Sequence, residues 1–261
     1  MKATHYIYIL FAALLTLTCV GCEDRLNIEK HGSLGGPENY YKTDEEAEAA
    51  VASMLISWRD VYSNWFYVKN LLSDDAYAGG GSRGDNAQME QLNEFTFFTD
   101  NSMISGLYSG LYTLVYKANL IIENVTGGSP IMKRAVAEAK FYRAWAYLEL
   151  VTLWGTAPLV DHLLAPSEYH VSNSTPEVLW AFVEQNLEEA ISSNALPSKS
   201  GVDDADATSR VTLETAKAHL GKTYLFQGKY AEAAAILDEV IDSKKYELYR
   251  GDFDMLGHAA T

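Results

Sequence analysis

The sequence predicts a mostly α-helical fold, a bundle of stacked tetratricopeptide-like helix pairs with long loops. Three observations carry this. Residues 137–160 (AEAKFYRAWAYLELVTLWGTAPLV) put Phe141, Ala144, Trp145, Leu148 and Val151 on one helical face. Tyr142, Ala146, Tyr147, Leu150, Leu153 and Trp154 fill most of the rest, and a helix apolar nearly all round must be enclosed by others. Residues 212–243 read as helix, Gly228 turn and helix, with Leu220-Gly221, Tyr224, Ala233 and Leu237 on the spacing of a tetratricopeptide unit. Lys217 stands in the Trp slot, so that match is partial. Residues 137–155 and 176–196 form an earlier, degenerate pair, and each such pair leaves a face bare until a neighbour stacks on it.

Composition narrows the function. The apolar content of 48% over 261 residues is ample for a core. The formal charge is −15, which argues against nucleic-acid binding, since phosphates call for a basic footprint. It argues equally against a polybasic hold on anionic lipid. The 17 Tyr, 9 Phe and 5 Trp suit either a packed helical core or stacking on sugar rings.

At the N-terminus, Lys2 precedes an apolar run over residues 6–17, too short to span a bilayer at roughly 20 residues. It reads as a cleavable secretory signal, residues 1–21. Gly21 before Cys22 looks like a lipoprotein processing site, with Cys22 as the point of lipid attachment. Acyl chains contribute about 0.8 kcal/mol per buried methylene, enough to hold a domain on a membrane without a spanning helix. Glu23-Asp24 resembles an acidic tag for surface display, and residues 22–42 read as a lipidated tether. The only other cysteine is Cys19, so no disulfide framework or Cys-based metal site can be built in the body.

The helical domain is expected over residues 43–261. Thr43 and Asp44 can cap a first helix, with Glu45 and Glu46 favourable to its dipole, running to about residue 72. Residues 73–85 (SDDAYAGGGSRGD) break it, the loop continues polar to Glu94, and residues 94–99 suggest an extended stretch. A second helix over residues 102–125 ends at Gly127-Gly128. The central helix starts near Pro130, is capped by Gly155 and cannot restart at Pro158, where an extended segment begins. Pro176 opens the next helix, and the linker 198–209 leads into the last pair.

Few motifs point to chemistry. Residues 79–84 spell G-x-G-x-x-G, but a helix precedes them where a dinucleotide site needs a strand. Arg83-Gly84-Asp85 spells an adhesion tripeptide on a glycine-rich loop, which says little by itself. The six histidines are scattered and no pattern calls for a metal or cofactor. A hydrolase would need two carboxylates across a cleft, whereas Asp74-Asp75 and Asp203-Asp204 are consecutive pairs in loops. As a binding surface, residues 73–101 offer more. Asp74, Asp75, Asp85, Asn86 and Asn101 supply hydrogen-bonding groups, and Tyr77, Phe97 and Phe98 a stacking surface, the mixture a carbohydrate site uses. The plainer reading is a surface loop with Phe97 and Phe98 buried.

The chain as a whole resembles the SusD/RagB family of outer-membrane nutrient-binding lipoproteins. The resemblance lies in Cys22 with its acidic follow-on, Glu38-Asn39-Tyr40-Tyr41, the Thr43–Ala47 helix start and Tyr116-Lys117-Ala118-Asn119. It continues through Arg143-Ala144, Trp154-Gly155 into Pro158-Leu159-Val160, and the Tyr224, Gly228-Lys229-Tyr230 and Ala233-Ala234 repeat. It implies a non-enzymatic, surface-exposed, lipid-anchored protein that captures oligosaccharides. It would pass them to a SusC-like TonB-dependent transporter of the outer membrane. It also implies a longer pattern, of which this chain is the N-terminal part without its C-terminal half. Members that bind glycan through tryptophans do so before the second long helix, where this chain has Phe97-Phe98. A helical-repeat lipoprotein that binds a protein or peptide is the second reading, and an all-α glycoside hydrolase the third.

Overall fold

The computed structural model describes residues 40–201 and 210–248. The expected signal peptide, Cys22, most of the expected tether and Asp203-Asp204 lie outside them. Helix α1 (Asp44–Leu71) begins at Thr43, whose hydroxyl accepts from the Glu46 amide while Glu46 reaches back to the Thr43 amide. This capping box satisfies two donors that a helix start otherwise leaves unpaired. A short helix α2 (Ala87–Asn93) interrupts the polar loop that the sequence suggested would run to Glu94. Residues 94–99 form no strand: Glu94 and Phe95 turn the chain out of α2, Phe95 as a left-handed cap, and residues 96–98 are irregular. Helices α3 (Ser102–Asn124) and α4 (Pro130–Trp154) follow.

Gly155 ends α4 at φ 74°, and the chain turns into β1 (Ala157–Pro158), which pairs antiparallel with β2 (Asn173–Ser174). The Tyr112 and Tyr147 hydroxyls donate to the Pro158 carbonyl at 2.7 and 3.2 Å, and the Val160 amide donates to Tyr147 Oη at 2.7 Å. Buried Tyr147 and half-buried Tyr112 thus hold the chain as it leaves α4. Helix α5 (Pro176–Ser192) pairs with α4, and α6 (Leu213–Phe226) with α7 (Tyr230–Asp242) across Gly228 at φ 75°. Gly221 lets these two helices approach: a Cβ there would lie 2.6 Å from Leu237 Cγ.

Helix α4 is the centre. It packs on α1, α3 and α5, and residues 141–151 are buried without interruption. The bundle closes around three buried ionic side chains on this helix. Glu138 accepts from Arg134 at 2.8 Å and from Arg210 at 2.9 Å, and Arg210 also reaches Glu48 at 2.7 Å. Glu149 pairs with Lys69 of α1 at 2.8 Å. Arg143 has no carboxylate partner. Its Nη1 donates to Asn119 Oδ1 on α3 and to the Asp161 carbonyl, its Nε and Nη2 to Asn186 Oδ1 on α5, all at 2.7–2.9 Å. The Phe182 ring lies under the guanidinium, 5.0 Å away. Burial holds Arg143 below its ordinary pKa, and four hydrogen bonds to three acceptors offset the lost water.

Most of the aromatic content goes into packing. Trp58 meets Tyr142 and Trp145 with ring centroids 5.7 and 6.1 Å apart, and Trp65 meets Trp145 at 6.2 Å. All five tryptophans are buried or half-buried. Among the described residues no helix is long and apolar enough to cross a membrane.

Candidate glycan-binding loop

Residues 73–101 connect α1 to α3 and carry the two most exposed aromatic side chains among the described residues, Tyr77 at 83% and Phe98 at 74%. The connection is long, yet its own polar groups order it. Leu92 of α2 is fully buried and Met89 packs against the core, which pins the short helix to the bundle. Asn86 caps α2 by accepting from the Met89 amide at 3.2 Å. Asn101 is also fully buried. Its Oδ1 accepts from the Met103 and Ile104 amides, and its Nδ2 donates to the Gln88 carbonyl and to Gln91 Oε1 at 3.1 Å each. Every hydrogen-bonding position of that side chain is taken by the fold. Asn101, expected as a ligand contact, is therefore a structural cap and offers a ligand nothing.

The other expected residues divide. Asp85 accepts from the Ser82 amide and hydroxyl at 2.9 and 2.8 Å, and these bonds hold its carboxyl below the usual range. It shapes the turn, and a Cβ on Gly80 would come within 3.0 Å of its Oδ2. Asp74 and Asp75 are exposed. Phe97 and Phe98 are exposed too, against the plainer expectation of buried rings, Phe97 only at the margin. Tyr77 lines a pocket of about 220 Å³ together with Gly79, Ser82, Arg83, Asn93 and Glu94, whereas Asp74, Asp75, Phe97 and Phe98 do not line it.

Arg83, Asn93 and Glu94 were not among the site residues expected from the sequence. Arg83 pairs with Glu94 at 2.7 Å and so ties the glycine-rich turn to the end of α2. Glu90, one turn earlier, accepts from the Gly84 amide at 2.6 Å. Asn93 accepts from the Ala78 amide at 3.0 Å and donates to the Ala76 carbonyl at 3.4 Å. It therefore grips the backbone on both sides of Tyr77. The available signal was Arg83 followed by acids at helical spacing, Glu90 and Glu94.

Phe95 carries strain. It sits at φ 55° just past α2, where its amide donates to Leu92 O and the Thr96 amide donates to Gln91 O. That bonding pattern is the one glycine usually closes. A Cβ in this region costs on the order of 1 kcal/mol, and Phe95 is 61% exposed, so little burial offsets it. Phe95→Gly is expected to raise stability by about 0.5–1 kcal/mol in a urea melt. An unchanged or lowered midpoint would contradict this account of the turn.

Chemically, the loop presents an aromatic face, a guanidinium–carboxylate pair and a carboxamide around one concavity, with further exposed rings on the same connection. That suits a ligand with an apolar face and many hydroxyls. Among the described residues no group of three His, Cys, Asp or Glu side chains could hold a metal ion.

A family model described as "Starch-binding associating with outer membrane", of the SusD-like type, matches residues 36–225. SusD-like protein P2 of Formosa agariphila is 30% identical over 247 residues, covering 88% of this chain and 45% of that protein. A SusD-like protein of Bacteroides ovatus is 28% identical over 198 residues, or 71% of this chain and 33% of that one. Among solved structures, a laminarin-binding SusD-like protein superposes with a TM-score of 0.67 at 31% identity, over 85% of this chain and 47% of its own. Surface glycan-binding protein A of Bacteroides uniformis superposes at 0.69 and 21% identity, over 80% of this chain and 48% of its own, a likeness of fold. The chain thus spans less than half the length of these proteins.

Proposed function

Because the chain belongs to the SusD-like family of starch-binding proteins that associate with the outer membrane, we propose that it captures glycan on residues 73–101 and passes oligosaccharide to a SusC-like TonB-dependent transporter without cleaving it. The observation that carries this is the exposure of Tyr77 and Phe98 on a connection whose buried groups, Leu92 and Asn101, hold it in place. Exposed rings on an ordered scaffold lose little freedom when a ligand stacks on them. Each such contact is weak. Lipid attachment at Cys22 would place the protein at the cell surface beside its transporter, where tethering raises the effective concentration of both. The family is one of carbohydrate-binding proteins rather than enzymes, in keeping with capture without cleavage.

The test is affinity gel electrophoresis of the full chain in gels cast with laminarin, starch and a range of other polysaccharides, with reducing ends assayed in the same samples. Retardation by at least one polysaccharide, with no new reducing ends, is the expected outcome. Release of reducing ends would overturn the reading in favour of a hydrolase.

A further inference from the structure

We infer that the loop of residues 73–101 admits uncharged glycans and turns away carboxylated or sulfated ones, with Asp74, Asp75 and Glu94 setting this selectivity. The inference rests on the reading of that loop as the glycan site. Residues 73–101 hold six carboxylates, one guanidinium and no other basic group. The guanidinium, Arg83, is the side chain that could fork onto a sugar carboxylate or sulfate. It is already paired with Glu94 at 2.7 Å.

Among the described residues, each cation on the two flanking helices is bonded elsewhere. On α1, Lys69 pairs with buried Glu149 at 2.8 Å and Arg59 with Asp60 at 2.9 Å. On α3 the one basic residue is Lys117, in the second half of the helix and bonded to Ser53. Asp85 is held in its ionised form by the Ser82 amide and hydroxyl. The exposed carboxylates of Asp74 and Asp75 have no hydrogen-bond partner among the described residues.

Distance makes the field matter. Asp75 and Asp74 are two and three residues from Tyr77, a span of at most about 10 Å of chain. That is about one Debye length at 0.1 M ionic strength. An acidic sugar stacked on Tyr77 would lie within reach of both, while Glu94 in the pocket wall keeps Arg83 occupied. A neutral sugar meets no such repulsion. The selectivity thus comes from a repulsive element, with no attractive contact needed to favour the neutral ligand.

The experiment takes the neutral polysaccharide that retards the full chain and compares it with a carboxymethylated form of the same backbone, at low and high salt. At low ionic strength the charged form is expected to bind at least ~10-fold more weakly, and the gap to close to below ~3-fold at 0.5 M salt. In the triple variant Asp74→Asn, Asp75→Asn, Glu94→Gln the ratio of charged to neutral affinity should rise toward one. Equal or stronger binding of the charged form at low salt overturns the inference while leaving glycan capture standing. A gap that ignores both salt and the triple variant overturns it as well, since sterics would then set the preference. Retardation by no polysaccharide, neutral or charged, overturns the glycan reading and this inference with it.

Discussion

Replacing Arg143 by leucine is expected to lower stability by about 3–5 kcal/mol, because it removes a buried charged donor and leaves its acceptors unpaired. Arg143 is only 6% exposed and joins α3, α5 and the segment after β1. Leucine fills part of the volume but donates nothing. The Asn119 and Asn186 side-chain carbonyls and the Asp161 carbonyl would each lose a charged donor. Asn119 would also be released from one side while its amide still holds the Val160 and His162 carbonyls at 3.1 and 2.9 Å. Lysine should rescue only part of the loss, because one ammonium on a flexible stem cannot serve two carboxamides and a carbonyl in the geometry of a planar fork. In a thermal melt the leucine variant should fall by about 10 °C, for a protein of this size. A shift under about 2 °C would mean that the network contributes little.

Tyr77→Ala, in contrast, should leave the melt where it is and weaken glycan retardation by at least ~10-fold, equal to about 1.4 kcal/mol. The ring is 83% exposed, so its removal takes almost no buried area from the fold. Its backbone stays held by Asn93. Tyr77→Phe should keep most of the affinity, because the stacking face remains. Phe98→Ala added to Tyr77→Ala should abolish retardation if both rings touch the glycan. Unchanged retardation by the double variant would move the binding surface off this loop. The melt, run beside each gel, separates loss of the platform from loss of the fold.

How much of this was legible differs between the fold and the site. The helix cap at Thr43, the stop at Gly155, the start at Pro176 and the Gly228 turn all appear at their expected places. Each depends on residues within four positions of one another, which a single sequence displays. The short helix α2 was missed because its polar sequence has one deeply buried anchor, Leu92, and so no apolar periodicity to read. Its left-handed end at Phe95 turns the chain where an extended stretch over residues 94–99 was expected to begin.

The site was harder to read because residue type does not reveal which polar groups are already used. Asn86, Asn93 and Asn101 look alike in the sequence, yet Asn86 starts α2, Asn93 clamps Tyr77, and Asn101 is sealed in the bundle. Trp58, Trp65 and Trp145, natural candidates for sugar stacking, were drawn into the packing of α1 on α4, leaving Tyr77 and Phe98 on the surface.

By itself the sequence determined that the chain forms amphipathic and fully apolar helices, where they start and stop, and that the helix of Phe141 to Val151 must lie at the centre. These follow from local spacing and from the cost of exposing apolar surface. Only the tertiary structure decided that Arg143 ties three elements together, that Asn101 is a cap, and that Arg83 is neutralised by Glu94 beside Tyr77. Those outcomes depend on partners brought together by packing. A polar side chain serves the fold when its bonds are filled there, and stays available to a ligand only when they are not.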